Sequence, residues 1–177
     1  FRHLLYTALN ITDKPLSIRY PKASSVDFDD NGQAELLPIG SWGIEQFGSD
    51  IVILAVGPMV YTALDAAKQL SLSGIKCEIV NCRFIKPMDT AYLDSIKKKF
   101  SKVITLEEGT IVGGFGEGVS SYLLEVGFKG RIKKLGLPDS FVEHGSREEI
   151  LSMLKLDVDG ISQSILDLIG EKEASSS

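Results

Sequence analysis

The stretch from Lys102 to Gly118, KVITLEEGTIVGGFGEG, most constrains how this chain can fold. Residues 103–106 are apolar or β-branched and too few for a helix, so they predict a short strand buried on both faces. Glu107 and Glu108 mark the predicted end of that strand. Glycines crowd the turn that follows, and beyond them apolar residues recur at helical spacing. The pattern predicts a strand–turn–helix unit. In an open α/β sheet the turn of such a unit lies at the carboxyl end of its strand, where ligands or partner domains bind.

The same alternation recurs along the chain. The predicted strands are 16–22 (LSIRYPK), 51–57, 77–82, 103–106 and 131–137, and residues 38–47 predict a loop or short edge strand anchored by Trp42. The predicted helices are 1–9, 59–72, 90–100 after an Asp89 cap, the stretch after Gly118, one opened by a Ser146/Glu149 capping box, and 161–169. Right-handed crossovers of this length give an α/β fold, a three-layer sandwich with a mostly parallel sheet of about five strands.

Composition breaks suggest how the chain is divided. Its 177 residues are enough for one compact domain and a tail. Residues 23–34, ASSVDFDDNGQA, are polar and turn-rich and predict a linker, and the polar end 171–177 predicts a disordered tail. The chain opens inside an apparent helix without an initiator Met, so we expect a fragment of a longer protein.

Charge and cysteine content exclude several classes of function. A formal net charge of −5 argues against a general nucleic-acid binder, and the Lys97–Lys99 run predicts a solvated helix face. No apolar run approaches the roughly 20 residues of a membrane span, so we expect no membrane partner. Cys77 and Cys82 should point to opposite faces of one strand, which disfavours a bridge between them. Two buried free thiols suit a reducing cytosol.

The glycine turn from Gly113 to Gly118 resembles a dinucleotide fingerprint only superficially. Its glycine spacing is wrong, and Glu107, Glu108 and Glu117 would repel a pyrophosphate. Close packing of a helix on a sheet, or against a neighbouring chain, is the favoured interpretation. Glu107 and Glu108 are adjacent, so their side chains should diverge and cannot form a hydrolase pair. The sequence favours a structural ion pair between one of them and Arg83 at least as strongly as any catalytic role.

Two further places carry candidate polar groups. His144 stands alone in a loop before a helix, which favours a capping or interface hydrogen bond over metal binding or catalysis. Arg19 and Lys22, in IRYPK, could hold a phosphate entering between two domains, or could be solvated. From spacing alone, the solvated alternative is favoured for these two cations.

Several segments, taken in order, resemble the C-terminal part of the 1-deoxy-D-xylulose 5-phosphate synthase family. They are LSIRYPK, LPIGSW, NCRFIKPMD, TLEEGTIVGGFGEGV, LGLPDSFVEHGSREEI and LKLDVDGI. The resemblance implies a transketolase-like enzyme that uses thiamine diphosphate and Mg²⁺ to condense pyruvate with glyceraldehyde 3-phosphate, with release of CO₂. Its sugar phosphate product would feed isoprenoid, thiamine and pyridoxal biosynthesis. It also implies a homodimer in the cytoplasm, or in the plastid stroma of a eukaryote.

The resemblance further implies a division of labour within the chain. Residues 1–22 would end a pyrimidine-binding domain, 23–47 would be the linker and domain entry, and 48–170 would be the transketolase-like C-terminal domain. The cofactor and metal sites would lie upstream, so this fragment should bind neither and should serve domain packing and dimerisation. Lys22 stands where the family has an arginine thought to contact the substrate phosphate. The lysine keeps the charge but not the fork geometry, so the contact is either weakened or partly shifted to Arg19.

Two rival identities remain open at this stage. One is the matching domain of another transketolase-like enzyme, such as the β subunit of a 2-oxoacid dehydrogenase, against which the HGSRE and KPMD segments argue. The other is a free-standing α/β module that binds a nucleotide or a partner, for which the acidic glycine turn has the wrong charge.

Overall fold

A five-stranded sheet organises the molecule, whose computed structural model describes residues 1–11, 13–21 and 32–170. The strands are β1 (Gly43–Gln46), β2 (Ile51–Ala55), β3 (Cys77–Asn81), β4 (Lys102–Thr110) and β5 (Arg131–Leu137). The helices are α1 (Arg2–Leu9), α2 (Met59–Ser71), α3 (Thr90–Lys99), α4 (Phe115–Glu125), α5 (Arg147–Met153) and α6 (Val158–Gly170).

The strand order is β1-β3-β2-β4-β5, and every neighbouring pair is parallel except β1 with β3. The central strand β2 is buried along its whole length, as expected for a parallel strand covered on both faces. The predicted α/β fold with a mostly parallel sheet is therefore confirmed, and residues 38–47 supply the predicted edge strand.

Two apolar cores lie on opposite faces of the sheet. One lies between the sheet and α2, α5 and α6, and contains Ile53, Cys77 and Ile104. The other lies between the sheet and α3 and α4, and contains Trp42, Leu54 and Cys82. The two cysteines are therefore free and face opposite ways, as the sequence predicted.

Two strand predictions need correction. Residues 16–21 form no strand, because a strand needs a neighbour for its backbone hydrogen bonds and these residues form no ladder with any described segment. The strand predicted over 103–106 continues through Glu107 and Glu108 to Thr110. Its extension is held by β5, since Thr110 pairs with Leu137 after an irregularity in the register.

The N-terminal helix is hydrogen-bonded to the segment that leads into β1. The backbone N–H of Glu35 donates to Nδ1 of His3 at 2.9 Å, and that of Leu37 donates to Oγ1 of the buried Thr7 at 2.9 Å. The predicted linker and tail lie largely or wholly outside the described residues. Within the described ranges, none of the helices has the length and apolar character that a membrane span requires.

Candidate functional site at the carboxyl edge of the sheet

The Glu107 carboxylate caps the helix that follows its own strand. Its Oε2 accepts a hydrogen bond from the backbone nitrogen of Phe115 at 3.0 Å, and its Oε1 accepts one from that of Gly116 at 2.8 Å. Glu107 is buried, so these bonds compensate the desolvation of its charge, and the charge favourably opposes the positive end of α4. A helix N-terminus is where a phosphate would bind, and here a side chain of the chain itself occupies it.

The glycines of the turn allow this close approach. A Cβ on Gly114 would lie 2.0 Å from the carbonyl oxygen of Thr110, and one on Gly116 would lie 2.3 Å from Oγ1 of Thr105. Gly113 has a φ of +69°, which favours glycine. These contacts support the close-packing interpretation of the turn over the dinucleotide one.

Glu108 points away from Glu107 and forms an ion pair with Arg147 of α5. The predicted divergence of the two carboxylates is confirmed. The predicted pairing of one of them with Arg83 is wrong: Arg83 donates to the carbonyl oxygen of Ser41 at 3.0 Å and to its Oγ at 3.1 Å. The reason is topological, because β2 lies between β3 and β4 and separates Arg83 from the glutamates.

The loop after β5 borders two shallow cavities at this edge. One, of about 490 Å³, is lined by Thr110 and residues 137–142. The other, of about 300 Å³, lies beside the Glu108–Arg147 pair. Phe141 in this loop is fully exposed. Its ring lines the first of these cavities.

His144 is exposed in the same loop and does not cap α5. The cap is Ser146, whose Oγ accepts a hydrogen bond from the backbone N–H of Glu149, while the Glu149 carboxylate accepts one from the backbone N–H of Ser146 at 2.8 Å. This backbone hydrogen bond lowers the pKa of Glu149. The predicted capping box is confirmed, and an interface role for His144 stays a prediction.

The predicted phosphate-binding residues fall at the N-terminal side of the chain. Arg19 is exposed in the segment 13–21, and Lys22 lies outside the described residues. A shared phosphate contact of these two residues therefore stays a prediction. In the ranges that the structure describes, no cluster of three or more His, Cys, Asp or Glu side chains is arranged to hold a metal ion.

Sequence reasoning missed a buried polar group on β3. Glu78 is 1% exposed, accepts a hydrogen bond from the hydroxyl of Tyr92 at 2.6 Å and forms an ion pair with Lys99. Burial, then the neighbouring Glu78, raises the pKa of Tyr92 well above its usual range. Lys99 is therefore not simply solvated, although the Lys97–Lys99 run was predicted to be. The signal was the single acidic residue within the apolar strand CEIVN.

Comparison with known proteins agrees with this architecture. The family described as transketolase, C-terminal domain, matches residues 40–161. The chain is 35% identical over 173 residues, 97% of its length, to 1-deoxy-D-xylulose-5-phosphate synthases of Bacillus cereus strain AH187 and of Bacillus anthracis. It spans 28% of the length of these relatives.

Solved structures give the same result. A split-gene transketolase, described as an inactive β4 tetramer, superposes with a TM-score of 0.70 at 27% identity, covering 87% of this chain and 47% of that one. Transketolase from Campylobacter jejuni, at 17% identity and a TM-score of 0.54, covers 72% of this chain and 18% of its own and shares the fold. The sheet order, the capped glycine turn and the matched residues lead to one conclusion: this chain belongs to the transketolase C-terminal domain family.

Proposed function

We propose that this chain is the C-terminal domain of a thiamine diphosphate-dependent transferase that condenses pyruvate with glyceraldehyde 3-phosphate to 1-deoxy-D-xylulose 5-phosphate, with release of CO₂. Similarity to synthases of that name along 97% of the chain supports the reaction. Because the chain spans 28% of their length, thiamine diphosphate and Mg²⁺ are assigned to the remainder of the enzyme. Residues 48–170 form the domain, and 1–22 belong to the end of the preceding one.

The role proposed for the domain itself is packing and dimerisation rather than catalysis. The observation that carries this role is the distribution of exposed apolar side chains, which is dense in residues 1–39 and recurs around the loop after β5. These residues are Phe1, Leu5, Tyr6, Leu9, Leu16, Tyr20, Leu36, Ile39, Val112 and Phe141. Exposed apolar side chains concentrated in this way favour contacts with other protein surfaces. The N-terminus of α4 is meanwhile closed by Glu107, which leaves no helix end there for a phosphate.

A substrate contact is proposed only for the N-terminal segment. Arg19 and Lys22 supply positive charge for the phosphate of glyceraldehyde 3-phosphate. Arg19 is exposed, as a ligand contact requires, and a lysine holds a phosphate as a point charge rather than as a bidentate fork.

The reaction and the packing role are tested with the full-length protein, intact and with residues 48–170 deleted. The intact protein should form 1-deoxy-D-xylulose 5-phosphate from both substrates in the presence of thiamine diphosphate and Mg²⁺. Sedimentation should show a dimer that the deletion weakens. Absence of turnover of glyceraldehyde 3-phosphate by the intact protein would refute the reaction. A deletion variant that dimerises as tightly as the intact protein would refute the packing role.

A further inference from the structure

The segment that enters the sheet is joined to α3 by one carboxylate. Oδ1 of Asp89 accepts a hydrogen bond from the backbone nitrogen of Tyr92 at 2.9 Å and so caps α3. Its Oδ2 accepts one from the backbone nitrogen of Trp42, also at 2.9 Å. Asp89 is partly buried, where a charge-assisted bond is stronger than in water. Each oxygen therefore serves a different element.

Further contacts of Trp42 fix the position of the segment before β1. Its indole Nε1 donates to the carbonyl oxygen of Phe84 at 2.8 Å, and its ring lies edge-on to Phe115 with 5.7 Å between centroids. Gly43, the next residue, pairs with Asn81 at the carboxyl edge of the sheet. The segment before β1 is thus pinned at the edge where open α/β folds place ligands.

The same segment continues backwards to α1. Four residues separate Trp42 from Leu37, whose backbone N–H donates to Oγ1 of the buried Thr7. Two hydrogen bonds, Asp89 to Trp42 and Leu37 to Thr7, therefore lie in series between α3 and α1. Each involves a backbone N–H and a side-chain acceptor, and each can be removed by one substitution that leaves the shape nearly unchanged.

We infer that Asp89 is a positioning residue. Through Trp42 and Leu37 it fixes the position of α1, and of the segment 13–21 that carries Arg19, relative to the carboxyl edge of the sheet. The kinetic consequence rests on the proposed function, because it concerns the phosphate-bearing substrate that Arg19 is proposed to contact. Displacing the segment should weaken binding of that substrate and leave the chemistry at the cofactor, in the remainder of the enzyme, unaltered. Replacing a residue that only stabilises the fold would lower the melting temperature but would not raise KM selectively while kcat stayed constant.

Two variants of the full-length enzyme test this, with a matched control. Asp89→Asn keeps one carbonyl acceptor but turns an NH₂ group towards one of the two N–H donors. Thr7→Val removes the acceptor of Leu37 at nearly equal volume. Asp50→Asn is the control, because Asp50 also accepts two hydrogen bonds, from the backbone N–H of Lys76 at 2.7 Å and from Ser49, but does so at the amino end of β2.

Asp89→Asn should raise the KM for glyceraldehyde 3-phosphate about tenfold, the size of one lost charge-assisted bond. Thr7→Val removes a hydrogen bond between uncharged groups and should raise that KM about fivefold. In both variants kcat and the KM for pyruvate should stay within twofold of wild type. Asp50→Asn should leave all three unchanged. An unchanged KM for the aldehyde in folded Asp89→Asn, or a fall in kcat alone, would overturn the inference.

Hydrogen exchange on the same proteins keeps this test separate from the proposed function. Asp89→Asn should speed exchange of both the Trp42 and the Leu37 amides, and Asp50→Asn should affect neither. If the wild-type protein lacks the proposed activity but shows this joint change, the positional link stands and the proposed reaction fails. If only the Trp42 amide responds, the link between α3 and α1 is refuted whatever the activity.

Discussion

Glu107 and Gly116 are joined by a hydrogen bond of 2.8 Å between a carboxylate oxygen and a backbone nitrogen, across the turn that links β4 to α4. The bond explains two features of the sequence together. It gives the buried carboxylate a partner, and it requires the backbone to come so close that side chains on the turn are excluded. Glycines that superficially resemble a phosphate-binding motif therefore let the backbone approach the buried Glu107 carboxylate.

Glu107→Gln should lower the free energy of unfolding by about 2 kcal/mol, because the amide keeps one acceptor but presents an NH₂ group to a second buried N–H. Glu108→Gln is the control: its partner Arg147 is partly exposed, and an exposed ion pair contributes about 1 kcal/mol or less. Urea unfolding at constant slope measures both. Equal losses for the two variants would contradict the capping role.

Alanine substitutions along the turn should differ in sign. Gly114→Ala should destabilise the fold by about 2 kcal/mol or more, because its Cβ would lie 2.0 Å from a backbone oxygen that cannot move cheaply. Gly118→Ala should stabilise it by about 0.5–1 kcal/mol, because this position lies within α4 and its Cβ would meet only Met88 at 3.8 Å. Thermal unfolding distinguishes them. A destabilised Gly118→Ala variant would show that glycine there serves more than helix packing.

Lys99→Met should lower the free energy of unfolding by about 2 kcal/mol, since it leaves the Glu78 charge buried with only Tyr92 as partner. Removing one partner of a fully buried ion pair costs about 3–5 kcal/mol. The loss expected here is smaller because Lys99 is half exposed. Lys98→Met, on the same exposed helix end, should change stability by about 0.5 kcal/mol at most. In a Glu78→Gln background the loss from Lys99→Met should shrink, and a loss of undiminished size would remove the ion pair as its cause.

The two thiols should resist alkylation in the native state. Burial, with a smaller contribution from Asp50, raises the pKa of Cys77 to about 11, and burial also raises that of Cys82. The thiolate is the nucleophile, so iodoacetamide at pH 8 should label neither residue until urea unfolds the chain. Because the folded pKa of Cys77 is raised, the stabilisation it contributes is complete below the ordinary thiol pKa and is lost as the pH rises towards 11. Rapid native labelling at pH 8, read by mass spectrometry, would contradict this placement.

Lys22→Ala in the full-length enzyme should raise the KM for glyceraldehyde 3-phosphate and leave pyruvate activation unaltered, because it removes one positive charge from the proposed phosphate contact. Lys98→Ala removes the same charge from an exposed position on α3, distant in sequence from Lys22, and supplies a charge-matched control. Steady-state kinetics with each substrate varied separately measures the effect. An unchanged KM would remove Lys22 from the site.

The periodic parts of the fold were predictable because their signals are local. The short apolar run of β2, the helical spacing of α2 and the Ser146 capping box need no knowledge of distant residues. The resemblance of the ordered motifs to a family added the expected parent enzyme and its expected reaction.

What could not be predicted depends on neighbours in space. Residues 16–21 have strand-like composition but no pairing strand among the described residues, and β4 runs past Glu107 because β5 extends beside it. Arg83 was assigned to the wrong partner because strand order in the sheet differs from order in the chain. Glu78 bonds to Tyr92 and Lys99, which lie 14 and 21 residues further along the chain, beyond the reach of a local pattern.

The central claim is that this chain supports a catalyst built from other parts of the enzyme. The most direct measurement is product formation by the purified 177-residue chain supplied with pyruvate, glyceraldehyde 3-phosphate, thiamine diphosphate and Mg²⁺, beside the full-length protein at equal concentration. We predict that the full-length protein yields 1-deoxy-D-xylulose 5-phosphate and CO₂, whereas the chain alone yields neither and gives no saturable heat on titration with thiamine diphosphate. Turnover or tight cofactor binding by the chain alone would contradict the account.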